Sequence, residues 1–346
     1  MSASSEPLVI EWTPNHDRLE LDSLRDPVNP GTMCWLQGGA FRFISATEIG
    51  YATSSSSYDP INSTSTLGRI DLADIHHPLA VATVLGYVLD FAWSPDGSSV
   101  AYLAYTSAPG LGSGAANQLW LKTGDAQPRA LTPLIPLFGR GGSISDETIV
   151  RFSPDGKYLV MVDTYVDGPA PASPDQAHFQ VRAMPSGTLV WVPPTALTSG
   201  DKIGASFVTM TAWSRTGDRL YYRDAGGVHS WDPPSTVAAV ATGLAWFSPT
   251  VSPDGKLVAY TVNLDAQPHV EVRDLVTNKV RTLPGIRGAP FFVSSTTLIV
   301  GVYEPSNQQG PGTLPYSPTG AVLYDLNTGV ETHLFWVINP IDYWPR

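Results

Sequence analysis

Short runs in which apolar and polar residues alternate, each bounded by Gly-, Pro-, Asp- or Ser-rich turns, recur along the whole chain. This is the pattern of half-buried β-strands joined by tight turns. Four segments align with one another: Phe91-Ala-Trp-Ser-Pro-Asp-Gly-Ser-Ser-Val-Ala-Tyr, Val150-Arg-Phe-Ser-Pro-Asp-Gly-Lys-Tyr-Leu-Val-Met, Thr211-Ala-Trp-Ser-Arg-Thr-Gly-Asp-Arg-Leu-Tyr-Tyr and Pro249-Thr-Val-Ser-Pro-Asp-Gly-Lys-Leu-Val-Ala-Tyr. Each reads as an apolar strand, a Ser-Pro-Asp-Gly turn and a second apolar strand. Two degenerate copies, around Ser45 and Ser294, flank them. Proline sets φ for the second turn position, aspartate bonds nearby amides, and glycine takes positive φ. Such a turn pins hairpin register. At Ser214-Arg-Thr-Gly217 the proline is missing, which predicts a hairpin that persists with a looser turn.

Two further strands follow each hairpin. In the second unit they read Gln118-Leu-Trp-Leu-Lys and Pro128-Arg-Ala-Leu-Thr. In the fifth they read His269-Val-Glu-Val-Arg-Asp-Leu and Lys279-Val-Arg-Thr-Leu, and in the sixth Ala321-Val-Leu-Tyr-Asp-Leu and Val330-Glu-Thr-His-Leu-Phe. No helical period competes. Six units of four strands predict an all-β chain, a six-bladed β-propeller of four-stranded antiparallel blades. It is read as one domain over 1–346, with units near 32–85, 86–134, 143–196, 205–242, 245–284 and 287–335. Segments 1–31 and 336–346 take part in ring closure: Leu8-Val-Ile-Glu-Trp12 and Phe335-Trp-Val-Ile338 are strand-like, and either can complete a blade contributed mainly by the other terminus. Trp93, Phe152 and Trp213, each before the turn serine, are expected to pack between blades.

The Ser-Pro-Asp-Gly hairpins at 94–97, 153–156 and 252–255 resemble the repeats of TolB-like, WD-repeat-related six-bladed propellers, over roughly residues 32 to 335. The resemblance implies the architecture and leaves the activity open, because such blades occur in periplasmic interaction proteins, in extracellular sensors and in the gating half of prolyl-oligopeptidase-like peptidases.

The chain of 346 residues carries a formal charge of −11, with 31 acidic against 20 basic side chains. That balance disfavours nucleic acid, whose phosphates call for a basic surface. No apolar run is long enough to span a bilayer. The single Cys34 cannot pair internally and reads as a small buried hydrophobe on a strand. Met1 opens without a basic or apolar leader pattern. The protein is exported, periplasmic or extracellular if a leader was trimmed, and cytoplasmic otherwise; a monomer is expected.

Recognisable catalytic patterns are missing from the sequence. There is no Gly-x-Ser-x-Gly elbow; Gly110-Leu-Gly-Ser-Gly114 has the wrong spacing. Nor is there His-Glu-x-x-His or an Asp-x-Asp-x-Asp-Gly loop, and the seven histidines are scattered, with His76-His77 read as a solvated turn before Pro78. No catalytic residue and no metal ligand is assigned, and no cofactor is predicted, although the fold is compatible with a divalent ion on its axis. Connections between second and third strands are long near Ser54–Thr66, Ser107–Asn117, Asp167–Ala177 and Pro305–Pro318, and short at 225–227 and 264–268. With sequence order taken as ring order, the long ones fall on contiguous blades six, one, two and three. They are expected to raise one half of a rim on the face away from the Ser-Pro-Asp-Gly turns.

The blade-to-blade connections on that face, Gly86–Asp90, Phe138–Asp146, Gly200–Gly204, Gly243–Trp246 and Gly285–Gly288, supply the candidate ligand-binding residues at the channel mouth: Tyr87, Arg140, Lys202, Trp246 and Arg287. Arginine can grip a carboxylate or phosphate through paired hydrogen bonds, and aromatics suit a sugar ring or a peptide side chain. The bland alternative is that each cation caps a carboxylate such as Asp90, Asp146 or Asp201. These features predict a non-catalytic binding or scaffold protein that recognises a protein, peptide or glycan. The alternative is a propeller enzyme of lyase or lactonase type with a metal-assisted site in the channel. A third possibility is a sensor domain severed from a membrane anchor.

Overall fold

The computed structural model describes residues 8–13, 18–23, 32–36, 40–45, 47–54, 63–74, 77–107, 115–136, 148–163, 172–193, 211–214, 216–224, 227–242, 246–262, 267–306, 315–334 and 340–344. Of the strands before residue 41 and after 339, only the backbone is described. The described chain is β-structure apart from one short 3-10 turn, Pro174–Gln176. None of its helices is long and apolar enough to cross a membrane.

The chain opens with β1 (Leu8–Thr13), β2 (Arg18–Ser23) and β3 (Thr32–Leu36). The repeats then lay down one antiparallel sheet each, and in every one chain order is spatial order. The first sheet is β4 (Ala40–Phe43), β5 (Glu48–Ser54), β6 (Thr64–Asp71) and β7 (Leu79–Leu85). The second is β8 (Tyr87–Trp93), β9 (Ser99–Ser107), β10 (Ala115–Thr123) and β11 (Arg129–Ala130), with a fifth short strand, β12 (Ile135–Pro136), also on β10. The third comprises β13 (Thr148–Phe152), β14 (Tyr158–Asp163), β15 (Phe179–Ala183) and β16 (Thr188–Trp191). The fourth comprises β17 (Thr211–Trp213), β18 (Leu220–Asp224), β19 (Gly227–Asp232) and β20 (Thr236–Thr242). The fifth is β21 (Trp246–Val251), β22 (Leu257–Val262), β23 (His269–Asp274) and β24 (Val280–Thr282), and the sixth is β25 (Arg287–Phe292), β26 (Thr297–Pro305), β27 (Tyr316–Asp325) and β28 (Glu331–Leu334). Each repeat hairpin falls between the first and second strands, as its sequence predicts, and the fold is that of a β-propeller.

The two termini share a sheet, as expected, with a C-terminal strand completing one contributed mainly by the N-terminus. That sheet stands in addition to the six repeats: β1 to β3 combine with β29 (Pro340–Trp344) in the order β29-β1-β2-β3, so the described sheets number seven. The repeat count misses this sheet because neither end carries the Ser-Pro-Asp-Gly turn that marks the others. The strand pairing with β1 is Pro340–Trp344, and the predicted Phe335–Ile338 lies outside the described residues. Residues 32–36, counted with the first repeat, belong to the terminal sheet, so that repeat's first strand starts at Ala40.

The chain divides into two compact units, 1–4 with 38–208, and 5–37 with 209–346. In the first unit, the sheets pack through shared apolar clusters. Ile44, Ala52, Leu67 and Val84 of the first repeat meet Val88, Phe91, Trp93, Val100 and Tyr102 of the second. Leu103, Leu119 and Leu121 of the second meet Val150, Leu159 and Met161 of the third, with Phe152 against the edge of that cluster. Trp93 and Phe152 thus do pack between sheets; Trp213 is half-buried. In the second unit, Ala259, Val270, Val272 and Leu283 meet Phe292, Leu298, Val300, Val322 and Tyr324. Each large apolar side chain removed from water this way contributes about 1.5–3 kcal/mol.

The recurrent turn is built on side chains. Ser94 Oγ donates to Asp96 Oδ1 at 2.5 Å and accepts from the amide of Ser99 at 2.9 Å, while Gly97, at φ +68°, donates to the Ser94 carbonyl at 2.8 Å. Ser153 and Ser252 repeat the arrangement with Asp155 and Asp254, each at 2.7 Å. The divergent turn is no looser: Gly217 donates to the Ser214 carbonyl at 2.9 Å, and Ser214 Oγ finds Asp218 at 2.7 Å. Aspartate one residue after the glycine replaces the one that precedes it elsewhere.

Candidate functional site

The first strands of the second and sixth repeat sheets carry polar groups that the sequence places in connections. Asp90, read as part of a blade-to-blade link, lies inside β8 at a bulge between Val88 and Asp90, because the bulge turns its side chain toward the neighbouring sheets. There it is 1% exposed, with Oδ1 accepting from Arg42 at 2.8 Å and Oδ2 accepting from Arg151 at 2.7 Å and from the amide of Val150 at 2.8 Å. Arg42 sits on β4 and Arg151 on β13, so one carboxylate ties the first strands of three successive sheets. A carboxylate buried in this way needs both cations and hydrogen bonds to offset its desolvation.

At the end of the sheets away from the repeat turns, a second polar cluster closes the stem of the connection 164–178. The amide of Asp163 donates to the His178 carbonyl at 2.7 Å, and His178 Nδ1 lies 3.3 Å from Asp163 Oδ2. Asn117 Nδ2 donates to the same carboxylate oxygen. Both Asn117 and Asp163 are buried, and Asn117 Oδ1 has no hydrogen-bond partner. Neither cluster was found from the sequence. Their bonded members lie 15 to 61 residues apart and share no motif, and the bulge that turns Asp90 inward leaves no mark on the alternation.

The five predicted mouth residues divide between the compact units. Tyr87 is half-buried and opens β8 opposite Tyr105. Arg287 opens β25, and its Nη2 donates to both oxygens of Glu331 at 3.0 and 3.2 Å with 14% of the side chain exposed. It caps a carboxylate, as the bland alternative had it, and the partner is Glu331. Trp246 begins β21 with its side chain outside the described residues, as are Arg140 and Lys202 entirely. Tyr87, Trp246 and Arg287 therefore belong to strands, because each of these three repeats enters its first strand earlier than the glycines suggest. His77, on the expected polar turn, is 80% exposed and bonds Asp74 through Nδ1 at 2.7 Å. Cys34 lies on β3 as expected, its side chain outside the described residues. Among the described residues no group of three or more His, Cys, Asp or Glu could hold a metal ion.

Strand ends place the connections between second and third strands at 55–63, 108–114 and 164–178 in the three sheets of the first compact unit. In the second unit they are 225–226, 263–268 and 306–315. The long loops expected from the sequence thus include all three of the first unit. Most of their residues lie outside the described set.

No family model matches the chain, and no curated protein matches it. Solved structures do. A prolyl endopeptidase, from a study of two such enzymes, is 15% identical with a TM-score of 0.57, the match covering 93% of this chain and 46% of that one. A protein of Bacteroides fragilis provisionally named 6-phosphogluconolactonase is 14% identical with a TM-score of 0.53 over 99% of each chain. TolB from Acinetobacter baumannii is 14% identical with a TM-score of 0.44, over 97% of this chain and 82% of its own. At these identities the likeness is one of fold.

Proposed function

We propose that the chain is a binding or scaffold propeller that recognises a protein, peptide or glycan through its loop-rich face, where residues 38–208 carry long connections. The observation that carries this reading is their distribution. Three successive sheets, locked to one another by Asp90 and by shared apolar clusters, each carry a long connection at the same end, while their opposite ends carry short, internally bonded turns. Variable loops on a rigid scaffold are the usual seat of recognition. The closed stem at Asp163 and His178 limits the ordering entropy that binding by the longest loop would cost.

The test is capture from the native host by immobilised protein, combined with a glycan array. A specific partner is expected, and the double substitution Arg140→Ala and Lys202→Ala should lose it while melting normally. Lys157→Ala, on a repeat turn, should retain it. Arg287 is left intact, because removing it would strand Glu331. Loss through Lys157 instead, or unchanged recovery in the double variant, would count against this surface.

The match to the lactonase-named structure over the full length of both chains favours one second reading, an enzyme acting on a lactone. Hydrolysis of 6-phosphogluconolactone by the purified protein, with a stoichiometric divalent ion in its metal analysis, would establish it in place of the first.

A further inference from the structure

The outer strands of the six repeat sheets differ in how they present their free edges. β7 and β20 are the longest, seven residues each, and neither carries a charge. No described strand pairs with the outer edge of β7, whose Leu79 and Leu85 are 64% and 82% exposed. A long, uncharged edge with exposed leucines is a template for strand addition, which natural sheets otherwise blunt with charge, proline or shortness. The outer strands β11, β24 and β28 do so here, being short and carrying Arg129, Arg281 and Glu331.

A cleft of about 330 Å³ opens at the start of β7, between the first and second sheets and beside the repeat turn, away from the long connections. Leu79, Val81 and Trp93 form its apolar wall. Its cations are already engaged. Arg69 lies over the Trp93 ring at 4.1 Å and donates to the Gly97 carbonyl, and Lys122 Nζ donates to the carbonyls of Gly124 and Ala126 at 2.6 and 2.9 Å. The carboxylates keep free lone pairs. Glu48 approaches Arg69 only to 3.7 Å, Asp71 accepts one amide from Ala73, and Asp125 is exposed with neither an ion pair nor a hydrogen bond to its side chain. Near β20 the situation differs, since both oxygens of Asp232 are held by Arg219 at 2.6 and 2.7 Å.

We propose that β7 and this cleft form one docking surface for an extended basic peptide, which adds a strand to the first sheet and places a lysine or arginine among Glu48, Asp71 and Asp125. The aliphatic stem of that side chain packs on Leu79 and Val81 while its head meets the open carboxylates, the usual division of labour for long cationic side chains.

Fluorescence anisotropy with the full chain tests this, using a labelled, capped probe of sequence Lys-Val-Thr-Val-Thr-Val. Two controls are the same peptide with glutamate for lysine and one with N-methyl groups at alternate residues. The parent probe is expected to bind, exchange of lysine for glutamate to weaken it about tenfold, and Asp125→Lys to do the same. N-methylation should abolish binding, as should Leu85→Lys, which puts a charge on the edge. Both substituted side chains are exposed, so thermal melts should match the parent protein. The proposal is overturned if the parent probe does not bind, if the lysine and glutamate probes bind alike, or if N-methylation is harmless. It is equally overturned if the protein self-associates through β7, shown by a dimer in sedimentation that Leu85→Lys disperses, which would assign the edge to a second copy of the chain.

Discussion

Asp90 shows how much one side chain can organise. Removing it leaves Arg42 and Arg151 without their shared counter-charge and the Val150 amide without its acceptor. Breaking a buried charge pair typically costs about 3–5 kcal/mol. Asp90→Ala should therefore lower unfolding free energy by about that amount in urea titration. Gly50 makes a second residue-scale case, because a Cβ there would lie 2.2 Å from Trp93 Nε1, inside the cluster joining the first two sheets. Gly50→Ala should cost about 1–3 kcal/mol by overpacking, read from the same titration. The turn aspartates carry the pH dependence. Hydrogen bonds from Ser94 and Ser98 hold the Asp96 carboxyl below its ordinary value, and those from Thr216 and Ser214 do the same for Asp218. A carboxyl with a depressed folded-state pKa contributes stability that is complete above its unfolded pKa, about 3.9 for aspartate, and is lost as pH falls through the folded value. Melting temperature should fall as pH drops below about 4, and the fall should be shallower in Asp96→Asn.

At the scale of elements, the four-residue turn and the strands around it were legible because the turn chemistry is local. Serine, aspartate and glycine at fixed offsets make the same bonds in each copy. The third-to-fourth hairpins behave likewise: Asp274 accepts the amides of Val276 and Thr277, and Asp325 those of Asn327 and Thr328, all at 2.7–2.8 Å. Asp218→Ala should consequently destabilise the fourth sheet's hairpin, with amide exchange at Arg219 accelerated, since the Arg219 amide bonds Ser214 Oγ, which Asp218 holds. The starts of the first strands were not legible. Glycines at 86 and 285 suggested open connections, yet β8 and β25 begin at Tyr87 and Arg287, one and two residues beyond them. Of the candidate site, only the capping of Arg287 could be read from residue type, and its partner could not.

For the whole molecule, the two chain ends form one sheet. β1 lies between β29 and β2, paired from Leu8 to Trp344 and from Leu8 to Ser23. Deleting residues 1–12 should lower the melting temperature, since it removes an interior strand, and removing 340–346 should do so by less, since it strips an edge. Differential scanning calorimetry of both truncations checks the order.

What the amino-acid order determined alone was everything enforced within a dozen residues: strand alternation, hairpin position, the repeat and hence the propeller class. Backbone conformational preference and side-chain-to-amide bonds act at that range without help from the rest of the chain. Tertiary structure decided the seventh sheet, the burial of Asp90 between Arg42 and Arg151, and the open carboxylates beside β7. Those depend on which distant strands pack together, and burial, which fixes what a charge is worth, exists only once they do.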